Sequence, residues 1–328
     1  MEKPEKKKPA TSKEPKPKKS GRRPMGLNGT YGDAMRPEEA AGAMAGLRAL
    51  LEAQNFASSA DAEAFFQRWM RVTGGAIPSP IPQTTLEWAQ ALARQAEGER
   101  DIDRAVALAQ MALEISADCV DAYLMLASHE ESFLHSIELL EQAVAVGRRA
   151  VAEDLFTALR GRLWAAHEAR PFLRAMAQLS KSVWDFGDRK RAITGYTAIL
   201  EWDADDHLEV HTDLMQCLLE ERTPEAFAAL RGLFERFQDD DALEAYNYAL
   251  LLFQELGSCM QADHAFKRAM RTNRYIPGVL LGTNDLSRYN GEEPRPGSLG
   301  EAIDYRDFTD PAWALTPGAA AWVRRLAA

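Results

Sequence analysis

The chain repeats one spacing of small and apolar positions five times between residues 84 and 275. Each time, a small residue is followed by an aliphatic or aromatic residue four positions on, and by another apolar residue after three more. The five lines are Ala105/Ala109/Ala112, Ser136/Leu140/Ala143, Ala192/Tyr196/Ile199, Ala226/Leu230/Leu233 and Ala262/Phe266/Ala269. Because positions three, four and seven apart share one face of a helix, each line predicts a helix with one buried face.

The distances between successive lines are 31, 56, 34 and 36 residues. A period near 34 is typical of stacked helix pairs of the tetratricopeptide kind. In such a pair a helix A and a helix B cross closely, so one position on each must be small. We therefore predict an all-α fold, an alpha-alpha superhelix that is a degenerate tetratricopeptide solenoid.

We predict four regions along the chain. Residues 1–24 form a disordered basic tail, and residues 25–82 form an N-terminal helical cap and a Pro-rich linker. Residues 83–274 hold five degenerate helix pairs with an insert at 148–169, and residues 275–328 form a C-terminal cap. The pairs are predicted at 84–96 with 101–115, then at 119–147, 171–202, 206–236 and 240–273.

Capping residues suggest where several helices begin and end. Pro37 is expected in the first turn of a helix over 37–54. Ser59 is expected to cap a second helix, which Gly74 ends. A short helix is predicted at 298–305, in the C-terminal cap.

Charge is unevenly placed along the chain. Residues 1–24 carry ten Lys/Arg and three Glu, a net +7, while the whole chain carries −10, which leaves −17 for residues 25–328. The folded part is therefore not expected to bind nucleic acid. The basic arm is open to two interpretations: a solubilising tail, or a segment that contacts nucleic acid, an acidic membrane or an acidic partner.

Cysteine usage and hydropathy bear on the compartment. Cys119, Cys217 and Cys259 are far apart and form no metal-spaced pair, which favours a reducing environment. No apolar run approaches the roughly 20 residues that cross a bilayer, and the charged N-terminus is unlike a signal peptide. We expect a cytoplasmic protein without a transmembrane segment.

Several blocks of the sequence resemble a known family. The blocks are Ala105–Tyr123, Glu168–Ala175, Leu179–Leu200, Glu244–Phe253, Ile276–Gly282 and Ala312–Ala319. Over residues 104–326, about two thirds of the chain, it resembles the soluble bacterial relatives of the suppressor of tumorigenicity 7 family. This resemblance implies a tetratricopeptide-like helical-repeat protein and supplies no catalytic residue.

One pair of histidines has a spacing that suits a metal. His207 and His211 stand four residues apart, so on a helix they share a face and could hold zinc. Glu209 does not adjoin the first histidine as in a zinc protease helix, and the preceding aspartates also suit a helix start. No phosphate loop or nucleophile motif is present, so we predict no metal, no cofactor and no enzymatic activity.

A different set of residues suggests partner binding. Arg174, Lys181 and Trp184 fall at positions two, nine and twelve of the third A helix, which face the concave groove of a solenoid. Arg170 precedes them, and His211 and Asn247 fall at position five of later A helices. The guanidinium groups suit a carboxylate; the alternatives are an internal ion pair for Arg170 and a core position for Trp184.

These features together predict a non-catalytic protein-interaction scaffold that binds a peptide or protein partner in its groove. Two alternatives remain. One is an adaptor that contacts nucleic acid or an acidic surface through the basic N-terminal arm. The other is a metal-dependent enzyme built around His207 and His211.

Overall fold

The computed structural model describes residues 37–327 except 238–240, 287, 288, 290 and 292. The predicted basic tail, residues 1–24, lies outside the described residues. The structure is 74% helical, with sixteen α-helices and no β-strand among the described residues. The predicted all-α fold is confirmed.

The helices follow one another in short hairpins. The first two are α1 (Pro37–Ala53) and α2 (Ser59–Thr73). Five pairs follow: α3 (Thr85–Glu97) with α4 (Ile102–Ile115), α5 (Val120–Ser128) with α6 (Phe133–Ala150), α8 (Arg170–Phe186) with α9 (Arg189–Trp202), α10 (Val210–Glu221) with α11 (Pro224–Arg236), and α12 (Ala242–Leu256) with α13 (Met260–Thr272). We call the first helix of each pair its A helix.

Side-chain caps fix several of these ends. Thr84 and Glu87 form a reciprocal capping box that starts α3. Gly187 ends α8 with φ +100°, a left-handed conformation that glycine adopts without strain. The cap of α2 is Ser58, one residue earlier than the predicted Ser59.

Within the five pairs, and from each pair to the next, successive helices pack against each other, whereas α1 packs on α3 and α2 packs on α4. Glycines allow two of the closest approaches. A Cβ on Gly147 of α6 would lie 2.9 Å from the Phe172 Cα of α8. A Cβ on Gly195 of α9 would lie 2.1 Å from the Ser180 Oγ of α8. These two glycines lie outside the five repeat lines, and they are further small positions at which helices cross closely.

The segment between the second and third pairs, residues 151–169, has structure of its own, and we call it the α7 segment. It contains α7 (Glu153–Ala158) and two 3₁₀ turns, Leu163–Ala165 and His167–Ala169. Phe156 of α7 packs edge-on against Phe172 and Trp202, with ring centroids 5.9 and 5.6 Å apart. The segment thereby folds onto α8 and α9.

The C-terminal segment folds back over the A helices. It contains α14 (Ile276–Leu280), α15 (Leu299–Ala314) and α16 (Ala319–Ala327). Helix α15 runs through Pro311 and is twice as long as the predicted helix at 298–305. It packs against α10 and α12, while α16 packs against α13. The last two A helices are thus covered by the chain itself.

Two hydrophobic cores hold the molecule together. The smaller core joins α1 to α5 around Trp69 and Trp88. The larger core runs from the α7 segment to α16 around Tyr246 and Phe266. Two further small clusters contain four and three buried residues. The first joins α5, α6 and α8, and the second joins α6, α8 and α9.

Candidate functional site

The predicted partner-binding residues of α8 lie on one side of the helix, and each already has a partner. Arg174 Nη2 lies 2.5 Å from Asp121 Oδ1 of α5. Lys181 Nζ lies 3.0 Å from Asp185 Oδ2, one turn along α8. Trp184 is half-buried, and the Arg189 guanidinium lies 4.7 Å from the centroid of its ring. The cations of this face are therefore not free to receive a carboxylate without first exchanging an internal one.

Arg170 is directed away from these three side chains. Its Nε donates a hydrogen bond of 2.9 Å to the Trp164 carbonyl oxygen, and its guanidinium lies 5.4 Å from the Trp164 ring centroid. Its described partner is thus the backbone and ring of Trp164 in the α7 segment, and not a carboxylate as the alternative of an internal ion pair required. Arg170 fixes that segment against the start of α8.

His211 lies inside the molecule. Only 7% of its surface is exposed, and its ring stacks on Phe237 with centroids 4.2 Å apart. Its Nδ1 lies 2.7 Å from Asp206 Oδ2, and its Nε2 lies 3.8 Å from Glu244 Oε1. The predicted role of His211 as a groove residue that meets a partner does not fit this position, because the ring is enclosed by the chain's own side chains.

His207 and His211 also do not share a helix face. Helix α10 begins at Val210, and Asp206 and Glu209 in the preceding turn have φ of 50° and 54°. His207 therefore lies in a turn, where its Nδ1 is 2.9 Å from Asp203 Oδ1. Each histidine is bound by its own aspartate, so the spacing that suggested zinc has no helical basis here.

Asn247 is a second interior residue, only 1% exposed. Its Oδ1 accepts a hydrogen bond of 3.1 Å from the Tyr305 hydroxyl of α15, which in turn accepts one of 2.8 Å from Trp313 Nε1. Asn247 thus holds α15 in place. It is unavailable to a partner, because the chain's own helix occupies the surface that a partner would need.

The surface between α8 and α10 carries a polar group that the sequence did not single out. Asp213, Gln216 and Glu220 lie three and four residues apart on α10, along the side that approaches α8 and α9. Glu220 Oε2 is 3.4 Å from Arg189 Nη2, and Gln216 Nε2 donates to Glu220 Oε1 at 3.1 Å. We call this surface, with Lys181 and Asp185 on its other side, the α8–α10 cleft. A signal was available: these are polar positions at helical spacing, interleaved with the apolar residues of the helix.

Burial shifts the carboxyl groups of the cleft. It raises the pKa of Asp213; the nearby Lys181 opposes this rise, and Asp185 adds to it. Burial also raises the pKa of Glu220, against the hydrogen bond from Gln216 and the charge of Arg189. Burial therefore destabilises the charged forms of Asp213 and Glu220, and carboxyl groups perturbed in this way are common at ligand-binding sites.

Cys119 and Cys217 do not provide a reactive thiolate. Cys119 and Cys217 are buried, and burial raises the pKa of Cys119 to about 11 and that of Cys217 further still. Thiols of this kind stay protonated at neutral pH and pack as small apolar groups. Within the described part of the chain, no three His, Cys, Asp or Glu side chains come together to hold a metal ion.

The comparisons leave the chain without a family assignment. No protein-family model matches it, and no curated protein is similar to it. None of the helices in the described ranges is both long and apolar enough to cross a bilayer.

Proposed function

We propose that the protein is a scaffold that binds a peptide or protein partner on the A helices that α15 leaves open. The observation that carries this proposal is the division of the A-helix surface. Helix α15 packs against α10 and α12, but makes no comparable contact with α3, α5 or α8 among the described residues. The open part presents exposed polar side chains such as Ser128 and Lys181.

The covered part supports the same idea. Helix α15 buries Ala302, Tyr305, Thr309, Ala312 and Trp313, which are spaced by three, four, three and one residues. This is the spacing by which a helical ligand lies in a groove. The A helices α10 and α12 therefore accept an added helix, and by analogy we expect the open A helices to accept one from a partner.

The finer assignments belong to this proposal. The repeat spacing and the helix hairpins support a tetratricopeptide solenoid, and the resemblance to the suppressor of tumorigenicity 7 family is in keeping with it. Buried free thiols at Cys119 and Cys217 support a reducing, cytoplasmic setting. No catalytic role is part of the proposal.

Affinity capture with the full chain tests the proposal. The variant Arg174→Glu with Lys181→Glu reverses two charges on the open surface. The control, Arg268→Glu with Arg271→Glu, makes the same change at exposed positions of α13. We expect the captured proteins to change with the first variant and to stay the same with the control. An identical set from both would rule out binding on this surface.

The first variant sets a second carboxylate beside Asp121, so folding must be checked by circular dichroism and thermal unfolding. Lys181→Glu alone provides a milder second variant, because the Lys181 side chain is 60% exposed and its ion pair is with Asp185, one turn along the same helix. A change in the captured set with this single substitution supports the proposal without a change at the Asp121–Arg174 contact.

A further inference from the structure

The α8–α10 cleft contains hydrogen-bond acceptors that the protein does not satisfy. Gln216 is only 5% exposed, and its Oε1 has no hydrogen-bond partner in the described structure. The carboxylate of Asp213, three residues earlier on α10, makes no hydrogen bond or ion pair with any described residue. A buried acceptor without a donor is destabilising, and more so when it is charged.

The cations near these acceptors are already committed. Lys181 pairs with Asp185 at 3.0 Å, and Arg189 lies 3.4 Å from Glu220 and 3.5 Å from Glu221. The four carboxylates at Asp185, Asp213, Glu220 and Glu221 outnumber the two cations. An anion entering this cleft would meet net negative charge, whereas a cation would meet an unused carboxylate and an unused amide oxygen.

The spacing of the two acceptors suits one ligand group. Residues three apart on a helix place their Cβ atoms about 5–6 Å apart, so a single multi-donor cation can span both side chains once the buried Gln216 amide turns toward it. An ammonium has three donors and a guanidinium has five. Lys181 and Asp185 lie on the exposed side of the cleft, so a long side chain enters from solvent.

We propose that the α8–α10 cleft receives a lysine or arginine side chain of a partner peptide, which donates to Asp213 and to Gln216 Oε1. This inference rests on the proposed function and names the chemistry of the partner. It also replaces the carboxylate ligand that the arginines of α8 suggested, because those arginines are internally paired.

Fluorescence anisotropy with the full chain tests the inference. The probes are a fluorescein-labelled hexapeptide, Gly-Arg-Gly-Gly-Arg-Gly, and its counterpart with Glu in place of Arg. We expect Asp213→Asn to weaken binding of the Arg probe by about tenfold, since a charge-assisted hydrogen bond is lost. Glu201→Gln removes one negative charge at an exposed position of α9 and should leave binding within about twofold.

Two further variants separate this site from general attraction between opposite charges. Gln216→Met keeps the size of the side chain but removes the acceptor, and should weaken the Arg probe several-fold. Lys181→Met removes a competing cation and should strengthen it. Equal effects of Asp213→Asn and Glu201→Gln on binding of the Arg probe would overturn the inference. It would also be overturned if the Glu probe bound more tightly than the Arg probe and Lys181→Met weakened binding of the Glu probe.

The chain's own residues 1–24 carry the same side-chain chemistry. A full-length variant with their ten Lys/Arg changed to Gln distinguishes this source. Unchanged affinity for the Arg probe supports a partner in trans; a tenfold gain would show that the chain fills its own cleft and would overturn the partner assignment.

Stability provides a readout that a purely structural role would not give. Asp213→Asn removes an unpaired, partly desolvated charge, so we expect it to raise the Tm while it weakens the probe. If Asp213→Asn lowered the Tm, Asp213 would be a structural residue and the inference would fail. A partner that still depends on Lys181 and Arg174 in affinity capture would then leave the proposed function standing.

Discussion

Two aspartates near the start of α10 are both partly withdrawn from solvent, yet their pKa values shift in opposite directions. Burial alone would raise the pKa of Asp206, but hydrogen bonds from the His211 ring and from the Val210 and His211 amides outweigh it, so this pKa is lowered. Asp213 has no such donors, and its pKa is raised. Hydrogen-bond donors supplied by the chain therefore determine whether burial leaves the pKa of a carboxyl group raised or lowered.

The lowered pKa of Asp206 predicts how stability depends on pH. A carboxyl group whose folded pKa is depressed contributes stability above its unfolded pKa, about 3.9, and loses it as pH falls through the folded value. We expect Asp206→Asn to lower the free energy of unfolding by about 1–3 kcal/mol at neutral pH. The gap to the wild type should close below about pH 4.

Urea unfolding between pH 7 and pH 2 measures this gap. The exposed neighbour Asp205, changed to Asn, provides the matched control and should show no comparable difference at any pH. A gap for Asp206→Asn that stays constant across this range would mean that the cap geometry, and not the charge, stabilises the turn.

For single residues, the sequence predicts ion pairs between neighbours in the chain better than ion pairs between residues that are far apart in it. Lys181 and Asp185 are one helical turn apart, and their ion pair follows from that spacing. Asp121 and Arg174 are 53 residues apart, and only their equal position in successive A helices hints at their contact. The histidine spacing misled, because the left-handed residues Asp206 and Glu209 delay the start of α10.

Two of the closest approaches between helices occur at glycines, which have no side chain. Gly147 costs α6 helix propensity, yet its missing Cβ is what lets the Phe172 backbone come near. Gly232 of α11 is also helical, but a Cβ there would have no atom within 4 Å. The two glycines are equal in local conformation and differ only in what packs against them.

This difference predicts opposite effects of one substitution. We expect Gly147→Ala to destabilise the protein by about 1–3 kcal/mol, because α6 and α8 must separate. Gly232→Ala should stabilise it by up to about 1 kcal/mol through helix propensity. Chemical unfolding of both variants measures the effects. A stabilising Gly147→Ala would show that the α6–α8 crossing has room that the structure does not suggest.

Helix positions were more predictable than helix docking. The starts of α3, α4 and α9 follow from caps and apolar spacing that lie within a few residues of each helix. The length of α15 was missed: the helix runs through Pro311, although proline usually breaks a helix interior. Its position on α10 and α12 depends on contacts such as Tyr305 to Asn247, across 58 residues, which no local pattern contains.

The described part of the molecule is divided between two cores that have no residue in common. The smaller core ends at α5, and the larger one begins at the α7 segment. In helical arrays where each unit contacts mainly its neighbours, stability is close to a sum of local terms. The helices around the smaller core and those around the larger core should therefore unfold locally and independently of each other under native conditions.

Native-state hydrogen exchange measures this independence. Trp88→Ala removes a fully buried ring from the smaller core and should speed exchange in α2–α5 while α12–α16 keep their protection. Phe266→Ala is the mirror experiment in the larger core and should speed exchange in α12, α13 and α16. Equal acceleration along the whole chain by either variant would show one cooperative unit instead.

The docking of α15 also limits how such a chain can lengthen during evolution. An extra helix hairpin duplicated from the first three pairs leaves the contacts of α15 with α10 and α12 intact. A hairpin duplicated after α13 would move α15 away from Asn247, and would move the turn after α15 away from Gln254, whose Nε2 donates to Thr316 Oγ1 at 2.8 Å. New repeats are therefore tolerated at the open end alone, and any gain in length enlarges the surface available to a partner.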